Sequence, residues 1–201
     1  METSIFNIQN KEEFKALSLA VFKHQFKNNK VYRSFCDLLF VHPSSISTIE
    51  EIPFLPIQFF KSREVLSSLA EVQEIFTSSG TTGSSTSKHL VTDITLYKES
   101  YLKGFSHFYG NIEEYTILAL LPNYLEREGS SLVFMVADLI QKSKKPESGF
   151  YLDNMQELAK KLIELDKIGQ KTLLIGVSFA LLDLIEMQQF NLKNTIIMET
   201  G

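Results

Sequence analysis

Apolar positions recur along this chain with two periods, and the switches between them mark out the elements. Phe14, Leu17, Leu19, Val21, Phe22 and Phe26 follow helical spacing, and Asn10 with Glu13 three residues later reads as a capping box. A second helix is predicted over 31–40. Pro53 and Pro56 rule out a regular helix across the serine-rich and acidic connector 44–56. Short runs with β-branched and aromatic content follow at 72–76 and 89–91. Beyond them, helix-length and strand-length patterns take turns. Helices are predicted over 94–109, 130–142, 154–168 and 179–188, and strands over 115–121, 150–152, 172–176 and 195–198. Gly169 falls where a helix C′ residue belongs.

Strands joined by helix-length crossovers cannot be hairpins, so the alternation predicts an α/β fold, a mostly parallel sheet with helices on both faces. An N-terminal helical segment, 1–52, precedes the α/β region, 53–201. In such a sheet ligands bind beyond the carboxyl ends of strands. The loops 77–88 and 122–129 and the residues after Met198 are expected there, converging on one crevice.

Composition narrows the options without choosing among them. With 201 residues, 44% of them hydrophobic and 22% charged, the chain has the make-up of an ordinary globular domain. A net charge of −4 gives no support to a nucleic-acid surface. The single cysteine, Cys36, excludes an internal disulfide and a cysteine-rich zinc site. It lies in an apolar run where a buried, inert thiol is the default. No signal-peptide core and no apolar stretch of membrane-spanning length is present, so a cytoplasmic location is expected.

The stretch richest in chemistry is Phe76 to Lys88, F-T-S-S-G-T-T-G-S-S-T-S-K. Taken by composition it is a flexible Ser/Gly linker. Taken by order it is a phosphate cradle. Glycines let backbone N–H groups approach an anion, hydroxyls of Thr77, Ser78, Ser79, Thr81 and Thr82 add donors, and Lys88 adds a point charge. It is not a Walker loop, since the run from Gly83 lacks the second glycine and the final hydroxyl of that motif.

Residues Ser78-Ser79-Gly80-Thr81-Thr82-Gly83 resemble the phosphate-binding signature of adenylate-forming enzymes, the acyl-CoA synthetase, luciferase and adenylation-domain superfamily. The lysine departs from that pattern: it normally lies nearer the second glycine, whereas Lys88 follows four further residues. Upstream, I-P-F-L-P-I-Q-F-F-K-S resembles the LuxE-type acyl-protein synthetases of bacterial light-emission operons. L-P-N-Y-L-E-R-E-G-S-S, from Leu121, and the closing Glu199-Thr200-Gly201 are similar to the same branch. Phe59 and Phe60 themselves are read as core.

The resemblance implies ATP and Mg²⁺ as cofactors, a carboxylic acid, fatty in this branch, as substrate, and a thiol on CoA or a protein as acceptor. Association with a second copy stays open. It implies phosphate or nucleotide contacts from Ser78 to Gly83, Arg127, Thr200 and Gly201. Chemical roles would fall to Thr81, Thr82, Lys88 and Glu199, with Glu199 as the Mg²⁺ ligand. It also implies that 53–201 is a nucleotide-binding region cut short at its C-terminal end. The family's acceptor cysteine and mobile C-terminal domain would lie beyond it, and Cys36 does not correspond to that cysteine.

Two other functions stay in view. One is a nucleotide-binding module without turnover. The other is a serine acyl-transferase or esterase, because Gly176-Val177-Ser178-Phe179-Ala180 approaches a nucleophile elbow. All four histidines (His24, His42, His89, His107) precede Ser178, so these 201 residues do not complete the triad order unless a C-terminal continuation supplies the histidine. Ser178 then reads as a helix N-cap. The histidines form no metal-ligand spacing, and only His89 is near the loop.

Overall fold

The computed structural model describes residues 2–78, 86–122, 128–151 and 154–200, with side chains from residue 5 onward. The chain divides into two compact units, Met1–Ser100 and Tyr101–Gly201.

The first unit opens with helices α1 (Lys11–Asn28) and α2 (Lys30–Leu38). Half of the capping box forms: Asn10 Oδ1 accepts the Glu13 N–H at 2.9 Å, while the Glu13 carboxylate accepts the Gln9 N–H, one residue before the cap, at 2.9 Å and the Asn10 side-chain amide at 3.0 Å. Asn29 makes the corner between the helices. Its N–H donates to the Gln25 carbonyl at 2.8 Å, closing α1, while its side chain accepts the Tyr32 N–H at 3.0 Å, opening α2. The corner residue is 4% exposed, so water cannot replace either bond. Asn29→Ala is therefore expected to destabilise this unit by about 1–2 kcal/mol, the upper range for a lost cap, in urea denaturation. The helices close on Phe22, Phe26, Tyr32, Cys36 and Ile52.

After the proline-bearing connector comes a single turn, α3 (Phe59–Ser62), then strands β1 (Glu74–Thr77) and β2 (Lys88–Val91). These two pair antiparallel as a sheet of their own. β1 is thus not a strand of the parallel sheet, contrary to the sequence expectation. The return from Thr77 to Lys88 is too short to carry a parallel crossover, and a hairpin is the geometry that such a connection permits. Helix α4 (Ile94–Tyr109) begins where Gln73 Oε1 accepts the Ile94 N–H at 3.0 Å.

The second unit carries the parallel sheet. Its strands are β3 (Thr116–Leu120), β4 (Gly149–Phe150), β5 (Thr172–Val177) and β6 (Thr195–Thr200), in the order β4-β3-β5-β6. All three pairings are parallel. The crossovers are α5 (Ser131–Ser143), α6 (Met155–Lys167) and α7 (Ser178–Met187). Right-handed crossovers put α5 on one face and α6 and α7 on the other. β3 and β5 are buried along their whole length, which is why T-I-L-A-L and T-L-L-I-G-V read as near-continuous apolar runs. Ser130 and Asn154 cap α5 and α6, accepting the N–H groups of Val133 and Glu157. Gly169, at φ +73°, ends α6 in the left-handed conformation that its C′ position calls for.

The edge strand β6 starts from a clamp. Asp166 Oδ1 accepts the N–H groups of Lys193 and Asn194, each at 2.7 Å, and the Asn194 carbonyl then takes the Thr172 N–H at 2.9 Å. Those bonds, the one from Asn194 first, hold the Asp166 carboxyl below its ordinary value. A carboxylate depressed in the folded state adds stability above its unfolded pKa and loses it as pH falls through the folded one. Asp166→Asn is accordingly expected to lower stability near neutrality and to flatten the loss of stability below about pH 4, as read from thermal midpoints across the acid range.

Candidate functional site

The first cluster lies at the mouth of the β1–β2 hairpin. Thr77 stands opposite Lys88, and one step beyond it the Ser78 N–H donates to the Ser87 carbonyl at 3.1 Å. Ser78 Oγ accepts the Ser87 N–H at 3.1 Å, so one residue ties both sides of the neck. A hydroxyl that accepts one bond keeps its proton to donate, and Ser78 is exposed. Ser79, Gly80, Thr81, Thr82 and Gly83, expected as phosphate contacts, lie outside the described residues.

The offset of the lysine has a structural reason. Lys88 is exposed on the returning strand, in register with Thr77, and is not a residue of the loop tip. Next to it, His89 meets the ring of Phe60 at 5.8 Å, while Phe59 meets Phe35 at 5.9 Å. The F-F-K segment thus packs Phe60 against β2 of the hairpin. Cys36 is fully buried, and burial pushes its thiol up, so it is the inert cysteine expected.

The second cluster lies at the carboxyl edge of the parallel sheet. The chain leaves β3 to one face and β5 to the other, so the edge between these two strands is a topological switch point. β5 passes into α7 with no loop between them. Gly176 makes this tight return possible: a Cβ there would stand 2.8 Å from the side chain of Leu181 in the first turns of α7. Parallel pairing sets Glu199 beside Gly176 and Thr200 beside Val177. The Ser178 hydroxyl donates to the Glu199 carboxylate, and Thr200 Oγ1 donates to the Gly176 carbonyl at 3.3 Å.

Ser178 is therefore the first residue of α7 and not its N-cap. The cap position is Val177, and the hydroxyl makes no capping bond because it is turned to Glu199. Among the described residues the partner of this hydroxyl is a carboxylate and not the imidazole that activates a serine nucleophile. Arg127 lies outside the described residues, as does Gly201.

Below the Ser178–Glu199 pair runs a cleft of about 330 Å³ between α7 and the sheet, lined by Leu174, Leu181, Leu184, Ile185, Phe190 and Ile197. Sequence reasoning named Ser178 and Glu199 separately and missed both their pairing and this cleft. The signal for the pairing was present, since aligning T-L-L-I-G-V with T-I-I-M-E-T as parallel neighbours sets Glu199 at the strand end.

Among the described residues, no group of three or more His, Cys, Asp and Glu gathers to hold a metal, and no helix is long and apolar enough to cross a membrane. One exposed carboxylate beside a hydroxyl suits a Mg²⁺ ion that keeps most of its ligands as water and phosphate oxygens.

Comparison with known proteins bears on the first of these clusters. Residues 4–114 match the family model described as acyl-protein synthetase, LuxE, a span that includes the whole hairpin and more than half of the 201-residue chain. Ser178 and Glu199 lie beyond it. The long-chain-fatty-acid–luciferin-component ligase of Photorhabdus luminescens is 39% identical over 70 residues, which is 34% of this chain and 60% of that relative.

Proposed function

The chain belongs to the LuxE acyl-protein synthetase family, and from that membership we propose that it carries the nucleotide-binding part of an enzyme that activates a long-chain fatty acid with ATP. The fatty-acid carboxylate attacks the α-phosphorus of ATP, forming the acyl-adenylate and releasing pyrophosphate. A thiolate on a protein or on CoA then attacks the acyl carbonyl, forming a thioester and releasing AMP. ATP enters as substrate, and Mg²⁺ when bound neutralises charge on the phosphate oxygens.

The chain's own residues have two tasks in this reading. The Ser78–Gly83 segment, with its neck tied by Ser78 and Ser87, offers hydroxyl and backbone donors to the departing pyrophosphate. Glu199, held by the Ser178 hydroxyl and with Thr200 next to it in β6, would provide the carboxylate that holds Mg²⁺. The observation that carries the reading is the family match across the hairpin that bears S-S-G-T-T-G. The ligase name of the Photorhabdus relative supports the acid class.

ATP–pyrophosphate exchange by the intact protein, with a panel of carboxylic acids, tests it. Exchange is expected with long-chain acids only. Thr81→Ala is expected to lower it about 100-fold, the loss typical of one transition-state donor. Gly83→Ala is expected to lower it as well. An ATP-dependent rise in melting temperature with no exchange for any acid would favour a binding module without turnover. Labelling of Ser178 by a fluorophosphonate would favour the serine acyl-transferase.

A further inference from the structure

We propose that the cleft between α7 and β6 is the site for the hydrocarbon tail of the acid, with the carboxyl group leaving past Ser178 and Glu199 at the carboxyl edge of the sheet. This inference rests on the fatty-acid reading above and adds to it where the chain is held and what sets its length.

The orientation follows from charge. Every lining residue is aliphatic or aromatic except Ser178 and Glu199, which stand at the rim. Among the described residues no cation lines the cleft, and burying a carboxylate against aliphatic side chains without a partner is costly. An apolar tail meets no such cost. α7 runs back along the strands from Ser178, so Leu181 and Ile185 descend from the rim over roughly 10 Å. Phe190, in the segment after the helix, is part of the same wall. A volume of about 330 Å³ lies at the lower end of ligand pockets, which are mostly apolar with a few placed polar groups.

Part of the lining stands in solvent. Ile185 is 53% exposed and Ile197 is 58% exposed, whereas Leu174 and Leu184 are core. Large apolar side chains left in water along one cleft are what a binding surface for an apolar ligand looks like. Their exposure also makes them safe positions for substitution.

Displacement of parinaric acid, a fluorescent polyunsaturated fatty acid, from the intact protein by saturated acids of 8 to 16 carbons tests the proposal. In the natural protein each methylene that enters the cleft is expected to tighten binding by roughly threefold to fourfold, until the cleft is full. Ile197→Trp, which narrows the cleft two residues in from Glu199, is expected to weaken tetradecanoate at least tenfold and to flatten the gain in binding per added methylene. Ile185→Asp, which places a charge inside, is expected to weaken every acid. Absence of parinaric acid binding by the natural protein would overturn the proposal. So would an unchanged chain-length profile in both variants. Tail binding that follows the expected profile, without acid-dependent pyrophosphate exchange, would support the cleft and count against the ligase reading alone.

Discussion

Glu199→Gln is expected to lower acid-dependent ATP–pyrophosphate exchange by about 100- to 1,000-fold, the scale on which loss of a transition-state charge interaction is felt. The substitution is a narrow one. Glutamine has the same shape, and its amide oxygen still accepts the Ser178 hydroxyl, so the short link between the first turn of α7 and the end of β6 survives. What disappears is the negative charge. Glu199 is exposed at the edge strand, so the melting temperature is expected to move by no more than a degree or two. If Glu199 holds Mg²⁺ as proposed, raising Mg²⁺ is expected to recover part of the lost rate, because a neutral oxygen ligates more weakly. Ser178→Ala provides the contrast: it keeps the charge and releases the carboxylate from its tether, with an expected loss nearer tenfold. Undiminished exchange by the glutamine variant would remove Glu199 from the chemistry and leave the hairpin to carry it.

That pair of residues also shows how far the sequence could be read. The helices of the second unit were legible from their own ends: Ser130 and Asn154 cap α5 and α6, and Gly169 ends α6, each through a bond or a dihedral angle made within a few residues. β3 and β5 were legible because burial on both faces leaves no polar alternation in them. β1 was legible as a strand but not by its partner, since β-branched content says nothing about which strand lies alongside. Its membership in a hairpin follows from the shortness of the return to β2. Ser178 was misread for the opposite reason. A serine at a helix start normally bonds two or three residues ahead, and here its hydroxyl goes to a residue 21 positions away. The cleft was hidden because Leu181, Ile185 and Ile197 follow ordinary helix and strand periods. Nothing in a period separates an apolar residue that packs from one that lines a gap.

Gly176→Val is expected to be the most damaging single change at the sheet edge, and its cause can be isolated. A Cβ at this position would stand 2.8 Å from both Cγ and Cδ2 of Leu181 and 3.4 Å from the Leu120 carbonyl oxygen. Valine adds two methyls to that overlap, for an expected cost of about 1–3 kcal/mol and a fall in melting temperature of roughly 2–4 °C for each kcal/mol. Strand preference alone predicts the other sign, since valine suits a buried strand better than glycine does. The clash is set to win because the opposing atoms include the branch point of Leu181 and are not confined to a swinging chain end. Gly176→Val combined with Leu181→Ala separates the two effects. If the overlap is the cause, the double variant is expected to be about 1 kcal/mol more stable than the sum of the single losses predicts. Strict additivity would show that Gly176 is required by something other than the approach of α7. Displacing α7 also draws the Ser178 hydroxyl from Glu199, so the single variant is expected to lose exchange activity at temperatures where it remains folded. Glu199→Gln is expected to weaken the same reaction with α7 left in place.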